Sequence, residues 1–196
     1  MSTLKVDTIS EKTSGNGVHI AGHVVQTVSN TSYNHAAYSL SASTEQNVLS
    51  CNITPKFSNS HMHIHVYWFY APNLADDDYG AAMRREIGGA MTGYVDGSTR
   101  PDSARGRFTV GSFTRDPFFW HDDAPNNNAG SRIIYDYSVM PTMAFLKDTY
   151  SGTATRTYQM TIGTASSGKT VYWNRNVAGN VSGGGNTSII IQEIAQ

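Results

Sequence analysis

The chain of 196 residues carries 14 basic and 15 acidic residues, a net charge of −1, and only 15% of its residues are charged. This length suits one domain with its own hydrophobic core, and the balanced charge excludes recruitment to nucleic acid or to an anionic membrane by bulk electrostatics. Five leucines stand against 13 valines and 12 isoleucines, which favours strands over helices. A single cysteine, Cys51, excludes an intrachain disulfide framework. No apolar run approaches the length of a membrane span, so we expect no membrane insertion. The composition as a whole predicts an all-β protein.

Residues 1–22 differ from the rest of the chain. Two short β-like pieces, Leu4–Ile9 and Val18–Ile20, flank a glycine-rich turn at residues 14–17. Such pieces are too short to fold alone, so they need another chain or the body of the protein as a partner. We therefore expect residues 1–22 to be an attachment or shaft segment and residues 23–196 to form the head domain.

Short strand signals recur from residue 23 onward, separated by Gly, Pro, Asn and Ser. The predicted strands are His23–Ser29, Gln46–Ile53, His61–Tyr70, Arg107–Phe113, Arg132–Val139, Thr155–Ile162, Thr170–Trp173 and Thr187–Ala195. Such a series predicts a β-sandwich of the jelly-roll kind. Residues 76–89 allow either a helical turn or an arginine-bearing strand, residues 120–130 are expected to form a loop, and residues 183–185 a flexible glycine loop.

The segment from residue 61 to residue 66 alternates histidine with apolar residues. His61, His63 and His65 share one strand face, and the apolar residues between them share the other, which predicts a core face. Three copies around a threefold axis would bring imidazoles into one plane, where they could hold zinc or another transition metal. The alternatives are an exposed polar strand face and histidines lining a subunit interface. A metal is the one cofactor that the sequence suggests, and it requires a trimer.

Two polar stretches are candidate contact loops, because aromatic rings beside polar groups are typical of carbohydrate and protein contact surfaces. The candidate receptor-contact residues are Asp76, Asp77, Asp78, Trp120, His121, Asp122, Asp123, Asn126 and Asn127. The alternative is a solvated loop tip whose neighbouring rings belong to the core.

The sequence lacks the G-x-S-x-G elbow, the H-E-x-x-H helix and a G-x-G-x-x-G turn that opens a helix, so we expect no enzyme. Glycosidases need two carboxylates at a set separation, and the acidic loops together with Glu86 supply such residues in number. A glycan depolymerase is therefore a minor alternative.

Several segments, in order along the chain, resemble a known family. They are L-K-V-D-T-I at residues 4–9, G-H-V-V-Q at 22–26, I-T-P-K at 53–56, T-V-Y-W-N at 170–174 and I-I-I-Q-E-I at 189–194. Together they resemble tail-fibre and virion proteins of marine phages, including phages of cyanobacteria. The strand after the I-T-P-K turn is usually aliphatic in that family, whereas here it carries the histidines.

The resemblance implies a virion protein, made in the host cytoplasm and commonly a homotrimer. A β-sandwich head would bind a host surface glycan or outer-membrane protein, and residues 1–22 would dock on other virion proteins. The alternative from the same family is a capsid decoration or spike protein that docks on the shell and stabilises it. Neither reading involves nucleic acid.

Overall fold

The computed structural model describes residues 8, 10, 20–72, 79–95, 109–115, 119–121, 140–164, 169–174 and 185–196. Every regular element in these ranges is a β-strand, and they contain no helix able to cross a membrane. The strands are β1 Val24–Ser32, β2 Ala36–Leu40, β3 Thr44–Ile53, β4 His61–Pro72, β5 Tyr79–Ile87, β6 Ala90–Val95, β7 Thr109–Val110, β8 Phe113–Thr114, β9 Phe119–His121, β10 Met140–Asp148, β11 Arg156–Thr164, β12 Lys169–Trp173 and β13 Thr187–Ile194.

One sheet, called sheet A here, is built around β4. Strand β13 pairs with the first half of β4 and β12 with its end, while β10 pairs with the other side of β4 along most of its length. Strand β1 extends the sheet beyond β13, and β2 extends it beyond β12. All these pairings are antiparallel. The half of sheet A nearest the start of β4 therefore runs β1-β13-β4-β10.

A second sheet, called sheet B here, has the order β3-β11-β5-β6, and β9 pairs with the start of β5. Strands β5 and β6 form a hairpin whose turn is Gly88-Gly89. Both glycines have positive φ, at 59° and 81°. A tight hairpin turn with this backbone favours glycine, because a Cβ strains the left-handed conformation. The short strands β7 and β8 pair with each other and form a separate two-stranded sheet.

The core lies between the facing sides of sheets A and B. It follows from alternation along each strand, because every second side chain points to the same face. From sheet A, Met62, Ile64 and Val66 are fully buried, as are Ile189 and Ile191. From sheet B the buried apolar residues include Leu49, Ile53, Met83, Tyr158, Met160 and Ile162. The protein is thus all-β, with antiparallel sheets packed as in a β-sandwich.

The strand register defines two ends of the molecule. At the proximal pole, β1 begins and β13 ends, with Val24 opposite Ile194, and His61 at the start of β4 also lies opposite Ile194. Two backbone hydrogen bonds hold the chain entering the head to the end of β13 at this pole: Gly22 N–H donates to the carbonyl of Ala195, and Ala195 N–H donates to the carbonyl of His23. At the distal pole, β4 ends, β5 begins opposite His121, and β11 ends at Thr164.

Most of the strands predicted from sequence are confirmed, and of the two alternatives for residues 76–89 the arginine-bearing strand is found, as β5. Three differences remain. Trp120 and His121 lie in β9 rather than in a loop. The single strand predicted at residues 107–113 is wrong, because Gly111, with a φ of 60°, turns the chain between β7 and β8. Strands β2, β6 and β10 escaped prediction. The strand predicted at 132–139 and the attachment segment's two pieces fall outside the described residues, apart from residues 8, 10 and 20.

Gly185 faces the ring of Phe69 so closely that a side chain does not fit. A Cβ built on Gly185 would overlap three atoms of that ring. The glycine is therefore required by close approach, in addition to any freedom it gives the loop. We expect Gly185→Ala to lower the free energy of unfolding by about 1–3 kcal/mol through overpacking. Chemical denaturation measures this; Gly185→Ala combined with Phe69→Leu should recover part of the loss, and an unchanged midpoint for the single variant would contradict the contact.

Candidate functional site

The outward side of sheet A carries the three histidines among apolar and aromatic side chains. We call this surface the histidine face. It consists of His61, His63, His65 and Tyr67 on β4, Ser188, Ile190 and Gln192 on β13, and Met143, Phe145 and Lys147 on β10. It forms because these positions alternate with the buried ones on the same strands. The sequence predicted only the histidines, since β10 was not recognised as their neighbour.

Phe145 lies directly across from His65 in the register of β4 and β10. Its ring makes edge-to-face contacts with both neighbouring imidazoles, at centroid distances of 5.2 Å to His63 and 4.9 Å to His65. These contacts fix the row of rings but leave it open to solvent. Phe145 is 55% exposed, Met143 69% and Tyr67 44%. A cluster of large exposed apolar side chains on one sheet face is typical of an interaction surface.

Two of the histidines are disfavoured as cations. Partial burial lowers the pKa of His63, and the charge of Lys147 and the neighbouring imidazoles of His65 and His61 lower it further. Partial burial and Lys147 also lower the pKa of His61, although Asp148 opposes this. Nδ1 of His61 is buried without a hydrogen-bond partner among the described residues. The environment therefore favours the neutral imidazole of His61 and of His63.

Within the described part of one chain, no group of three or more His, Cys, Asp and Glu side chains is arranged to hold a metal ion. This is the geometry expected of alternate residues on a strand, whose imidazoles stand side by side rather than converge. A metal site made of His61, His63 and His65 would therefore require several chains, as predicted from the sequence.

The predicted contact loops connect strands that end at the distal pole. Residues 73–78 connect β4 to β5, and residues 122–139 connect β9 to β10, whose first residue lies opposite Tyr70 near the end of β4. Trp120 and His121 lie in β9, where they pair with the start of β5. The other candidates lie outside the described residues: Asp76, Asp77, Asp78, Asp122, Asp123, Asn126 and Asn127.

A cleft of about 530 Å³ lies between β1 and the turn after β3, nearer the proximal pole. Gln26 lines this cleft, and its Nε2 donates to the carbonyl of Thr54 at 2.7 Å and to the Glu193 carboxylate at 2.6 Å. Further along β1, the side chain of Asn30 donates to the carbonyl of Ser50 at 2.7 Å. These amides from β1 satisfy carbonyls on the free edge of β3, which limits edge-to-edge association of sheet B. The cleft therefore lies where the β1 edge of sheet A meets the β3 edge of sheet B.

The outward side of sheet B is charged and internally paired. Glu45 accepts hydrogen bonds from Arg84, Tyr94 and Thr161 and lies 3.5 Å from Arg115. Arg115 is fully buried; burial lowers its pKa to about 10, although Glu45 and Tyr94 oppose that shift. Its Nη2 also donates to the carbonyls of Gly80 and Thr161. This network stabilises the sheet and presents no open row of apolar groups.

Residues 163–170 match a phosphate-loop spacing that the sequence analysis did not identify. The segment reads G-x-x-x-x-G-K-T, with Gly163 in β11 and Lys169 in β12. A phosphate-binding loop of this type leads into a helix, whose N-terminal amides hold the anion. Here Lys169 begins strand β12 instead, so the segment lacks the helix N-terminus that binds the phosphate in such loops.

A scan against protein-family models finds no match for the chain, and a search of curated proteins finds no match either.

Proposed function

We propose that this chain is a phage virion protein, a trimeric fibre or receptor-binding head that contacts the host cell surface. Its jelly-roll head would face outward at the distal pole, and residues 1–22 would join it to other virion proteins at the proximal pole. The family resemblance motivates the class of protein. The observation that carries the proposal is the separation of the two poles.

The described strands on either side of residues 73–78 and 122–139 end at the distal pole, whereas the head begins at His23, which is hydrogen-bonded to Ala195 at the proximal pole. An attachment segment and two contact loops at opposite ends suit a protein that bridges a particle and a surface. Three copies would give avidity from individually weak sites.

Adsorption of the purified protein to susceptible cells tests this proposal. We expect saturable binding that competes with intact virions. Replacing Asn126 and Asn127, two of the receptor-contact residues predicted from sequence, by alanine should lower the bound fraction at least about tenfold, since contact-loop groups that bind the receptor act in each of three subunits. The matched control at the proximal pole is Asn59→Ala, whose side chain is exposed there and which should bind like the wild type.

No adsorption to any susceptible host, under conditions where virions adsorb well, would overturn the receptor-binding proposal. Virions that lack the protein would then be heated or shocked osmotically. A loss of resistance would favour the capsid decoration protein instead. Release of reducing ends from host polysaccharide would favour the depolymerase.

A further inference from the structure

We propose that the histidine face is the contact between copies of this chain. The occupant is thus a second copy of the chain. The inference concerns a different surface from the distal loops and does not depend on host binding. It follows from the composition, area and charge of the face, together with the contrast between the outward sides of the two sheets.

The composition of the face matches that of an interface core. Interface cores are enriched in aromatic residues and Met and depleted of charge. Tyr67, Met143 and Phe145 supply large side chains that are 44–69% exposed in the single chain. Polar but uncharged Ser188 and Gln192 border them on β13.

The charge of the face suits a copy of itself. Along β1, β13, β4 and β10, the described residues that point outward include no Asp, Glu or Arg, and their one lysine is Lys147 near the proximal end. Copies can therefore meet over the apolar centre while their lysines stay at the rim. A foreign partner with a strongly charged surface would find no opposite charges to pair with in that centre.

The size of the face is also adequate. Four strands spaced by about 4.8 Å and paired over about eight residues of 3.4 Å give a plan area of roughly 500 Å². Protruding side chains make the accessible area larger than the plan area. The face therefore approaches the roughly 800 Å² that each partner buries in a standard stable interface.

The outward side of sheet B does not offer the same opportunity. There Arg84 forms ion pairs with both Glu45 and Glu86, and only 7–25% of each side chain is exposed. Covering that surface would desolvate ion pairs without adding apolar contact. Sheet A is thus the sheet whose outward side gains most from being covered.

The test is light scattering with the full chain over a concentration series at neutral pH. We expect an oligomer, with a mass of roughly 64 kDa if three chains of 21.3 kDa assemble. Phe145→Glu should raise the dissociation constant at least about 30-fold, as expected for a central contact residue. The matched control is Tyr33→Glu, at a 74% exposed ring outside the face, which should change it less than about threefold.

Far-UV circular dichroism confirms that each variant stays folded. A monomeric wild type, or an oligomer that Phe145→Glu leaves intact, would overturn the interface.

Discussion

Asp148→Ala is expected to lower the free energy of unfolding by about 3–5 kcal/mol, the usual cost of removing one partner from a buried ion pair. Asp148 is the last residue of β10 and is 4% exposed. Its Oδ1 accepts a hydrogen bond from Arg85 Nη1 at 2.6 Å, and its Oδ2 accepts one from the Tyr158 hydroxyl at 2.7 Å. Both donors belong to sheet B, so this carboxylate joins the two sheets near the proximal pole.

The size of this effect comes from the cations that would remain. Arg156 is fully buried and its Nη1 lies 4.0 Å from Asp148 Oδ2, while Arg85 is only 9% exposed. The Tyr150 ring lies against both guanidinium groups, 4.1 Å from Arg85 and 5.6 Å from Arg156, but a ring face compensates a cation only in part. Without the carboxylate, two arginines would share a buried site without an anion.

Urea unfolding at fixed protein concentration measures the loss, since association would otherwise shift the apparent stability. Tyr158→Phe removes one donor and should cost only about 1–2 kcal/mol. The adjacent exposed residue provides the control, and Thr149→Ala should change the midpoint little. A loss below about 1 kcal/mol for Asp148→Ala would mean that the carboxylate does not hold the sheets together.

The predictable part of the fold is the part with strict alternation along the chain. The histidine strand alternates without a break, and its apolar residues Met62, Ile64 and Val66 are indeed fully buried. The final strand, predicted at residues 187–195 and found at residues 187–194, has apolar residues on both faces, and it is marked instead by its three consecutive isoleucines. A strict period of two marks only the histidine strand.

Strand β10 escaped prediction because apolar residues occupy both of its faces. Leu146 points into the core, whereas Met143 and Phe145 point outward, so the alternation that marks a half-buried strand is absent. The same feature that hid the strand now identifies the histidine face as an interaction surface. The sequence placed the three histidines together but could not supply the aromatic and apolar neighbours that β10 brings to them.

Buried charges form the other part that sequence could not predict. Arg85, Arg115 and Arg156 are each 9% exposed or less, although arginine is usually exposed. Arg85 and Arg115 lie against carboxylates far away in the chain, Asp148 and Glu45; Arg85 and Asp148 are 63 residues apart. A local pattern contains no information on such a pairing, because it is decided by how the two sheets pack.

Glu193 shows how two segments of the family resemblance meet. It belongs to the I-I-I-Q-E-I strand, and its carboxylate is fully buried beside the I-T-P-K turn, 137 residues earlier in the chain. The backbone N–H groups of Lys56 and Phe57 donate to Oε1 at 2.8 and 3.0 Å, and the Ser60 hydroxyl donates to the same oxygen at 2.6 Å. Gln26 donates to Oε2 at 2.6 Å. The turn is therefore closed around one carboxylate.

This arrangement predicts a large effect of Glu193→Gln, a loss of about 3 kcal/mol at neutral pH. A glutamine amide keeps the shape but replaces one acceptor oxygen with a donor and removes the charge, so at least one buried donor would lose its partner. Gln26→Ala removes one donor of the four and should cost about 1 kcal/mol. The exposed neighbour variant Thr27→Ala is the control and should leave the midpoint unchanged.

The same carboxylate should make stability depend on pH in the acid range. Burial alone would raise the pKa of Glu193, but the hydrogen bonds from Ser60, Lys56, Phe57 and Gln26 outweigh burial and lower it from its ordinary value of 4.5. Because the folded state has the lower pKa, its stabilisation is fully present above about pH 4.5 and is lost as the pH falls through the folded pKa. The difference in stability between the wild type and Glu193→Gln should therefore shrink on acidification. Denaturation of both proteins from about pH 7 to about pH 3 measures it; a difference that stays constant would show that the turn does not depend on the ionised carboxylate.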